Sequence, residues 1–170
     1  MVKIELLTEA TFDVESLADI LLDAVDSGAS IGFLPPMSRD EARDYWREVQ
    51  AAGHLAWGAF VEGKLVGTVQ LALANKPNAR HRAEVQELLV LRANRRQGIA
   101  RELMLGMERH AQALGRVLLV LDTKLGDDAE RLYERLGYQR VGALPGYVRN
   151  ADGSLAATVI FYKQLDLEQI

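Results

Sequence analysis

Apolar and polar positions follow two rhythms along this chain, and the switches between them mark the elements. Val2–Leu7 is a short apolar run that predicts a strand. Leu17, Ile20, Leu21, Ala24 and Val25 then recur at the spacing of one helix face, predicting a helix over Val14–Asp26 stopped by Gly28. "GASIGFLPPM" (28–37) contains Pro35 and Pro36 and reads as a loop. Ser38 followed by Glu41 is a capping-box signature, opening a second helix that runs to about Ala52 before Gly53.

His54–Val61 and Lys64–Ala74 flank "EGK" and predict a hairpin. After it come a strand over Val85–Leu91, a helix over Ile99–Leu114, a strand over Val117–Asp122 and a helix over Asp128–Leu136. Two strands, Tyr138–Val148 and Leu155–Leu165, meet near "NADG". Ile99, Leu103, Met107, Ala111 and Leu114 form the stripe that the third helix would lay on a sheet. The order β-α-α-β-β-β-α-β-α-β-β predicts a mixed sheet with helices packed against it. Its strand–helix–strand stretch over 85–122 is a crossover, so those two strands are expected as parallel neighbours. Both are nearly continuous apolar runs, as strands covered on both faces should be. No repeat or linker interrupts the pattern, and 1–170 reads as a single domain.

Composition narrows the function classes. With 49% hydrophobic and 26% charged residues the chain has the make-up of a soluble globular protein. Lys3, Glu5 and Glu9 break the only N-terminal apolar run, so neither a signal peptide nor a membrane span is expected, and the location expected is cytoplasmic. The absence of cysteine excludes a disulfide scaffold, a thiolate nucleophile and a Cys-based zinc site. His54, His81 and His110 show no ligand spacing, and no metal is expected.

Net charge is -4, but residues 1–48 hold eleven of the 24 acids and only four of the 20 bases. That acidic third is either a solvated helix face or an attraction for a cationic substrate. Residues 80–101 carry six arginines and His81. Positive charge confined to one loop and one helix start suits a small anion, not the extended face of a nucleic-acid binder.

"RRQGIA" (95–100) sits where that charge meets the third helix. A helix N-terminus offers unpaired N–H groups and a partial positive charge. Gly98 lets the backbone approach a ligand, Ala100 leaves the first turn clear, and Arg95 and Arg96 add charge: a pyrophosphate cradle. An ordinary strand-to-helix turn with exposed arginines is the competing reading. Neither G-x-x-x-x-G-K-[ST] nor G-x-G-x-x-G occurs in the chain.

Arg95-Arg96-Gln97-Gly98-Ile99-Ala100 resembles the R/Q-x-x-G-x-G/A signature of the GNAT superfamily of acetyl-CoA-dependent N-acetyltransferases. "AERLYERLGYQRVG" (129–142) resembles that family's helix, tyrosine and strand, and the element order is similar throughout. The resemblance implies an α/β (α+β) fold: a mixed, mostly antiparallel seven-stranded sheet, a central splayed parallel pair and about four flanking helices. It implies acetyl-CoA as cosubstrate, its pantetheine arm along Leu88, Leu89, Val90 and Leu91 and its pyrophosphate on Arg95, Arg96, Gln97, Gly98, Ile99, Ala100 and Arg101. An amide near Leu88 or Leu89 would face the thioester carbonyl.

The same resemblance makes Tyr133 the acid that protonates the departing thiolate, with packing in the core as its alternative. A base must deprotonate the amine. Glu84 stands where some members carry a catalytic carboxylate, and Asp122 ends the parallel neighbour, where ligands of open sheets gather. Either can be the base. Glu87 should face away from Glu84 unless a bulge intervenes. Gly126 replaces an asparagine common in the family.

"GASIGF", "QLALANKPN", "RAEVQ", "LVLDT" and "RVGALPGYVRNADG" are similar to the tabtoxin-resistance type of acetyltransferase. That likeness implies a small-molecule amine substrate, an amino-acid-like toxin or antibiotic, with Gly28–Met37 and Asn75–Arg82 walling its site. A protein or peptide N-acetyltransferase and a non-catalytic acyl-CoA-binding module are the alternatives. Val159, Ile160, Phe161 and Tyr162 fit either a homodimer contact or a core strand.

Overall fold

The first two helices start where a side chain satisfies free backbone amides. In the computed structural model, which describes residues 1–166, Asp13 accepts from the amides of Glu15 and Ser16 and opens α1 (Val14–Asp26). Ser38 Oγ accepts from the Glu41 amide while the Glu41 carboxylate accepts from the Ser38 amide, opening α2 (Arg39–Ala51) with the reciprocal box its sequence predicted. Ser38→Ala should cost about 1 kcal/mol. A lower denaturant midpoint at unchanged slope would show it. Glu15 and Asp19 of α1 pair with Arg39 and Arg43 of α2. These exposed pairs make the acidic first third a solvated helix face.

Seven strands form one sheet: β1 (Val2–Leu6), β2 (Leu55–Val61), β3 (Lys64–Leu73), β4 (Arg82–Val90), β5 (Leu118–Lys124), β6 (Gln139–Arg149) and β7 (Leu155–Gln164). Their order is β1-β2-β3-β4-β5-β7-β6. Every pairing is antiparallel except β4–β5. The alternation of strand side chains divides the core between the two faces. One carries α3 (Ile99–Ala113) and α4 (Asp128–Arg135), where Leu103, Met104 and Met107 pack with Leu119, Leu121 and Phe161. The other carries α1 and α2, whose Leu17, Leu21 and Trp46 pack with Ala56, Leu65 and Leu89. A Cβ at Gly67 would lie 2.9 Å from the Leu89 carbonyl and 3.3 Å from Leu103, so glycine there lets β3, β4 and α3 close up. No helix among the described residues is long and apolar enough to cross a membrane.

Three expectations change. Leu114 caps α3 beyond its last turn and is 45% exposed, while Met104 takes a place in the buried stripe. β7 lies between β5 and β6 with Val159 and Phe161 fully buried, so its apolar residues belong to an interior strand. The edge on that side of the sheet is β6, which exposes Val141, Leu144 and Tyr147. The central parallel pair is not covered throughout, for Glu84 and Asp122 are exposed.

The uncovered stretch is where the sheet opens. β4 and β5 pair only from Arg82–Glu84 to Leu118–Val120. β5 then stays with β7 as far as Lys124. β4 stays with β3, but between Thr68↔Leu89 and Gln70↔Gln86 it holds one residue more than its partner. This bulge contains Glu87, whose φ of 47° lies in the left-handed region. From Glu84 onward the two parallel strands diverge.

Candidate active site

The divergence leaves a cleft of about 1160 Å³. Of the residues predicted for the site, Glu84, Leu88, Leu89, Val90, Arg95, Arg96, Gly98, Ile99, Ala100, Arg101, Asp122 and Tyr133 all line it. Leu91 and Gln97 do not. Leu91 begins a single 3₁₀ turn and packs inward, and Gln97 is exposed on the loop away from the cleft. Of the loop Gly28–Met37, residues Gly28–Gly32 line the cleft and 33–37 do not. Asn75–Arg82 does not, being gathered elsewhere by the Arg116 guanidinium, which donates to the carbonyls of Ala74, Arg80 and Arg82.

One end of the cleft is built for an anion. Gly98 takes φ +79° as the N-cap of α3 and supplies no capping side chain, which leaves the first-turn amides to a ligand. Arg96 also has positive φ, +61°, so the loop curls tightly ahead of the helix. The loop is braced from behind. Arg92 donates to Asp23 through both its backbone amide (2.8 Å) and its Nε (2.7 Å), and Arg95 donates to the Val90 carbonyl (3.0 Å) and to Ser27 Oγ (3.2 Å). Amides, helix dipole and guanidinium groups converge where a diphosphate would be favoured.

The other end gathers carboxylates. Asp122 is exposed, and the Thr158 hydroxyl donates to it at 2.7 Å. Glu84 is exposed at the last position where β4 pairs with β5. Glu87 joins them because of the bulge: strict alternation would have turned it away from Glu84. It is half-buried, and its Oε2 has no protein partner. Burial, and secondarily the Asp122 charge, pushes its pKa up to about 8. Such a carboxyl can take up a proton near neutral pH, as a general base must.

Tyr133 lines the cleft from α4 with its ring packed against Tyr138 and Phe161. Burial holds its phenol well above the usual range, and the charges of Asp122, Glu87 and Asp127 add to that. The phenol therefore keeps its proton at neutral pH. The ring is thus packed in the core while the residue also lines the cleft.

Two features escaped sequence reasoning. The register shift that turns Glu87 inward is a property of β3 and β4 together, and no glycine marks it. Tyr45 reads as one more aromatic on the buried side of α2, yet it also lines the cleft. At Gly126 the backbone adopts φ +91°, and its amide donates to Glu130 at 2.5 Å.

Comparison with known proteins agrees with this architecture. A family model described as "Acetyltransferase (GNAT) family" matches residues 19–138. An uncharacterized N-acetyltransferase from the hisH-hisA intergenic region of Azospirillum brasilense is 29% identical over 120 residues, which are 69% of this chain and 71% of that protein. Among solved structures, the Salmonella typhimurium protein yncA, determined with its cofactor acetyl-CoA, superposes with a TM-score of 0.81 at 19% identity, covering 100% of this chain and 97% of its own. The ribosomal-protein-alanine N-acetyltransferase of Brucella melitensis gives a TM-score of 0.81 at 22% identity, covering 96% and 99%.

Proposed function

This chain belongs to the GNAT acetyltransferase family, and from that premise we propose that it moves the acetyl group of acetyl-CoA directly to a primary amine of a small molecule. The observation that carries the proposal is the cleft itself: parted parallel strands with a free helix start at one end and Glu87 beside Tyr133 at the other. The α3 start with Arg96 and Arg101 would hold the diphosphate, and Leu88–Val90 would flank the pantetheine arm. Acetyl-CoA supplies an activated thioester.

The chain's own residues do the rest. Glu87 takes a proton from the incoming ammonium, so that the nitrogen presents a lone pair. No side chain of this protein need carry the acetyl group, and with no cysteine present a thiol relay is excluded. Tyr133 gives its proton to the departing sulfur and is restored by the second proton, which the acylated nitrogen sheds. Glu84 and Asp122 lend negative charge that holds a cationic amine near Glu87.

The choice of a small molecule is supported by a cleft lined by Gly28–Gly32 together with Tyr147 and Val148. An amino-acid-like toxin or antibiotic is the substrate class we favour. We read the chain as one catalytic domain working in the cytoplasm. Acetyl-CoA at a hundred times its Kd should stabilise the fold by about 2.7 kcal/mol, seen as a rise in Tm. An acetylation screen over amino acids, polyamines, aminoglycosides and β-lactam amino acids, followed by free-thiol release, then identifies the amine. No heat on titrating acetyl-CoA would overturn the reading; transfer only to peptides would move it to the protein-directed class.

A further inference from the structure

The acidic end of the cleft also holds a cation that the steps above leave unused. Lys124 closes β5 and lines the cleft together with Glu84, Glu87, Asp122 and Asp127. Asp122 and Lys124 are alternate residues of one strand, so they project to the same face of the sheet. Glu84 stands opposite Val120 in the parallel register and projects with them. Leu119 and Leu121 point the other way, into the core beneath α3 and α4. The face that carries α1 and α2 therefore presents two carboxylates and an ammonium where β4 and β5 part.

A lysine set among carboxylates is expected to pair with one of them. Among the described residues Lys124 makes no ion pair. It donates instead to a neutral group, Oδ1 of Asn150, at 2.8 Å. Asn150 is held in turn. Its Nδ2 donates to Ser154 Oγ at 2.9 Å and its backbone amide donates to the Ser154 carbonyl at 2.8 Å. The Ser154 hydroxyl donates to Asp152 at 2.6 Å, which ties up the turn joining β6 to β7. An ammonium has three N–H donors. Asn150 takes one and cancels no charge, so the positive charge and two donors are left for a ligand in the cleft.

Electrostatics select that ligand. Glu84, Glu87 and Asp122 favour an ammonium and repel an anion. An acceptor that carries a carboxylate beside its amine is excluded from this end unless a cation meets the carboxylate. Alternate residues of a strand stand about 7 Å apart. The two charges of one amino acid can therefore lie against Asp122 and Lys124 together.

We propose that Lys124, aimed by Asn150, binds a carboxylate of the acceptor, so that the acceptor is an amino acid or a molecule with the same pair of charges. The inference rests on the acetyl-transfer reading and names a specificity-determining residue for it.

The test sets each amino acid of the acetylation screen against its own carboxamide, which keeps the amine and loses the negative charge. Wild type should favour the acid. Lys124→Met should cut the acid-over-amide ratio of kcat/KM by about tenfold or more, chiefly through KM. Lys124→Arg should restore most of that ratio, and Asn150→Ala should lower it less than Lys124→Met does. Thermal melting and acetyl-CoA calorimetry check that each variant is folded; should Lys124→Met fail to fold, Asn150→Ala carries the test. An equal fall for acids and amides would overturn the inference, because Lys124 would then only brace the turn. So would a wild type with no preference for the acid.

Saturation-transfer NMR with the same acids and amides, in the absence of acetyl-CoA, separates this inference from the reading beneath it. Acids that bind wild type more tightly than their amides, and lose the advantage in Lys124→Met, support the carboxylate site even if no acetyl group is transferred. Acetylation confined to amines that carry no carboxylate overturns the site and leaves acetyl transfer standing.

Discussion

Glu87→Gln should lower kcat for amine acetylation by about 10²–10³-fold at pH 8 while leaving acetyl-CoA affinity unchanged. Glutamine preserves the shape of the bulge and the hydrogen-bonding ends of the side chain but cannot accept a proton. In the wild type, with the Glu87 carboxyl near 8, the base is mostly protonated at pH 7 and ionised by pH 9, so turnover should climb across that interval. In the variant the climb attributable to Glu87 disappears. Glu84→Gln should preserve it, and Asp122→Asn should keep the climb but start it at lower pH, because the Asp122 charge helps to raise the Glu87 carboxyl. A wild-type pH profile in Glu87→Gln would return the role of base to one of those two.

Stability should move in the opposite sense. The folded-state pKa of Glu87 is raised above 4.5, so the fold binds this proton more tightly than the unfolded chain does. Folding stability therefore falls as pH rises from about 4.5 to about 8, and stays lower above that. Glu87→Gln removes the fall and should melt higher than wild type at pH 9. Such a gain in stability with a loss of turnover marks a group placed for chemistry at a cost to the fold.

How much of this was legible in the sequence depends on the range of the interaction involved. The capping box of Ser38 and Glu41, the stop at Gly28 and the glycine before α3 are settled within four residues, and pattern reading finds them. The parallel pair follows from the crossover rule, which needs only element order. Glu87 is different: its inward turn depends on the pairing of β4 with β3, and that pairing is set by side chains far away in sequence. Leu114 was misplaced because helical spacing says nothing of where the sheet beneath ends. The apolar run of β7 suited an edge and an interior strand alike until β6 was seen to close the sheet. Tyr45 belongs with these, because a residue serving the core and the cleft at once shows only its apolar side to a periodicity argument.

Tyr133→Phe should lower kcat by about 10²-fold and leave the Kd for acetyl-CoA close to wild type, since only an oxygen at the cleft surface is lost and the ring keeps its contacts with Tyr138 and Phe161. The environment specifies how the phenol acts. Burial and three nearby carboxylates hold its proton firmly, so free ionisation contributes nothing below pH 10 and no alkaline fall in rate should be traceable to it. Once Glu87 has accepted the amine's proton it is neutral, and one of the charges that strengthened the phenol's hold is gone. In the proposed mechanism base and acid are thereby coupled: ionised Glu87 opposes release from Tyr133, and protonated Glu87 eases it. The donor is thus readied after the amine is deprotonated, when negative charge gathers on sulfur. The loss in Tyr133→Phe should shrink when the departing group is more acidic, as with the selenoester analogue of acetyl-CoA. An equal loss with thioester and selenoester would show that Tyr133 shapes the cleft without meeting the leaving group.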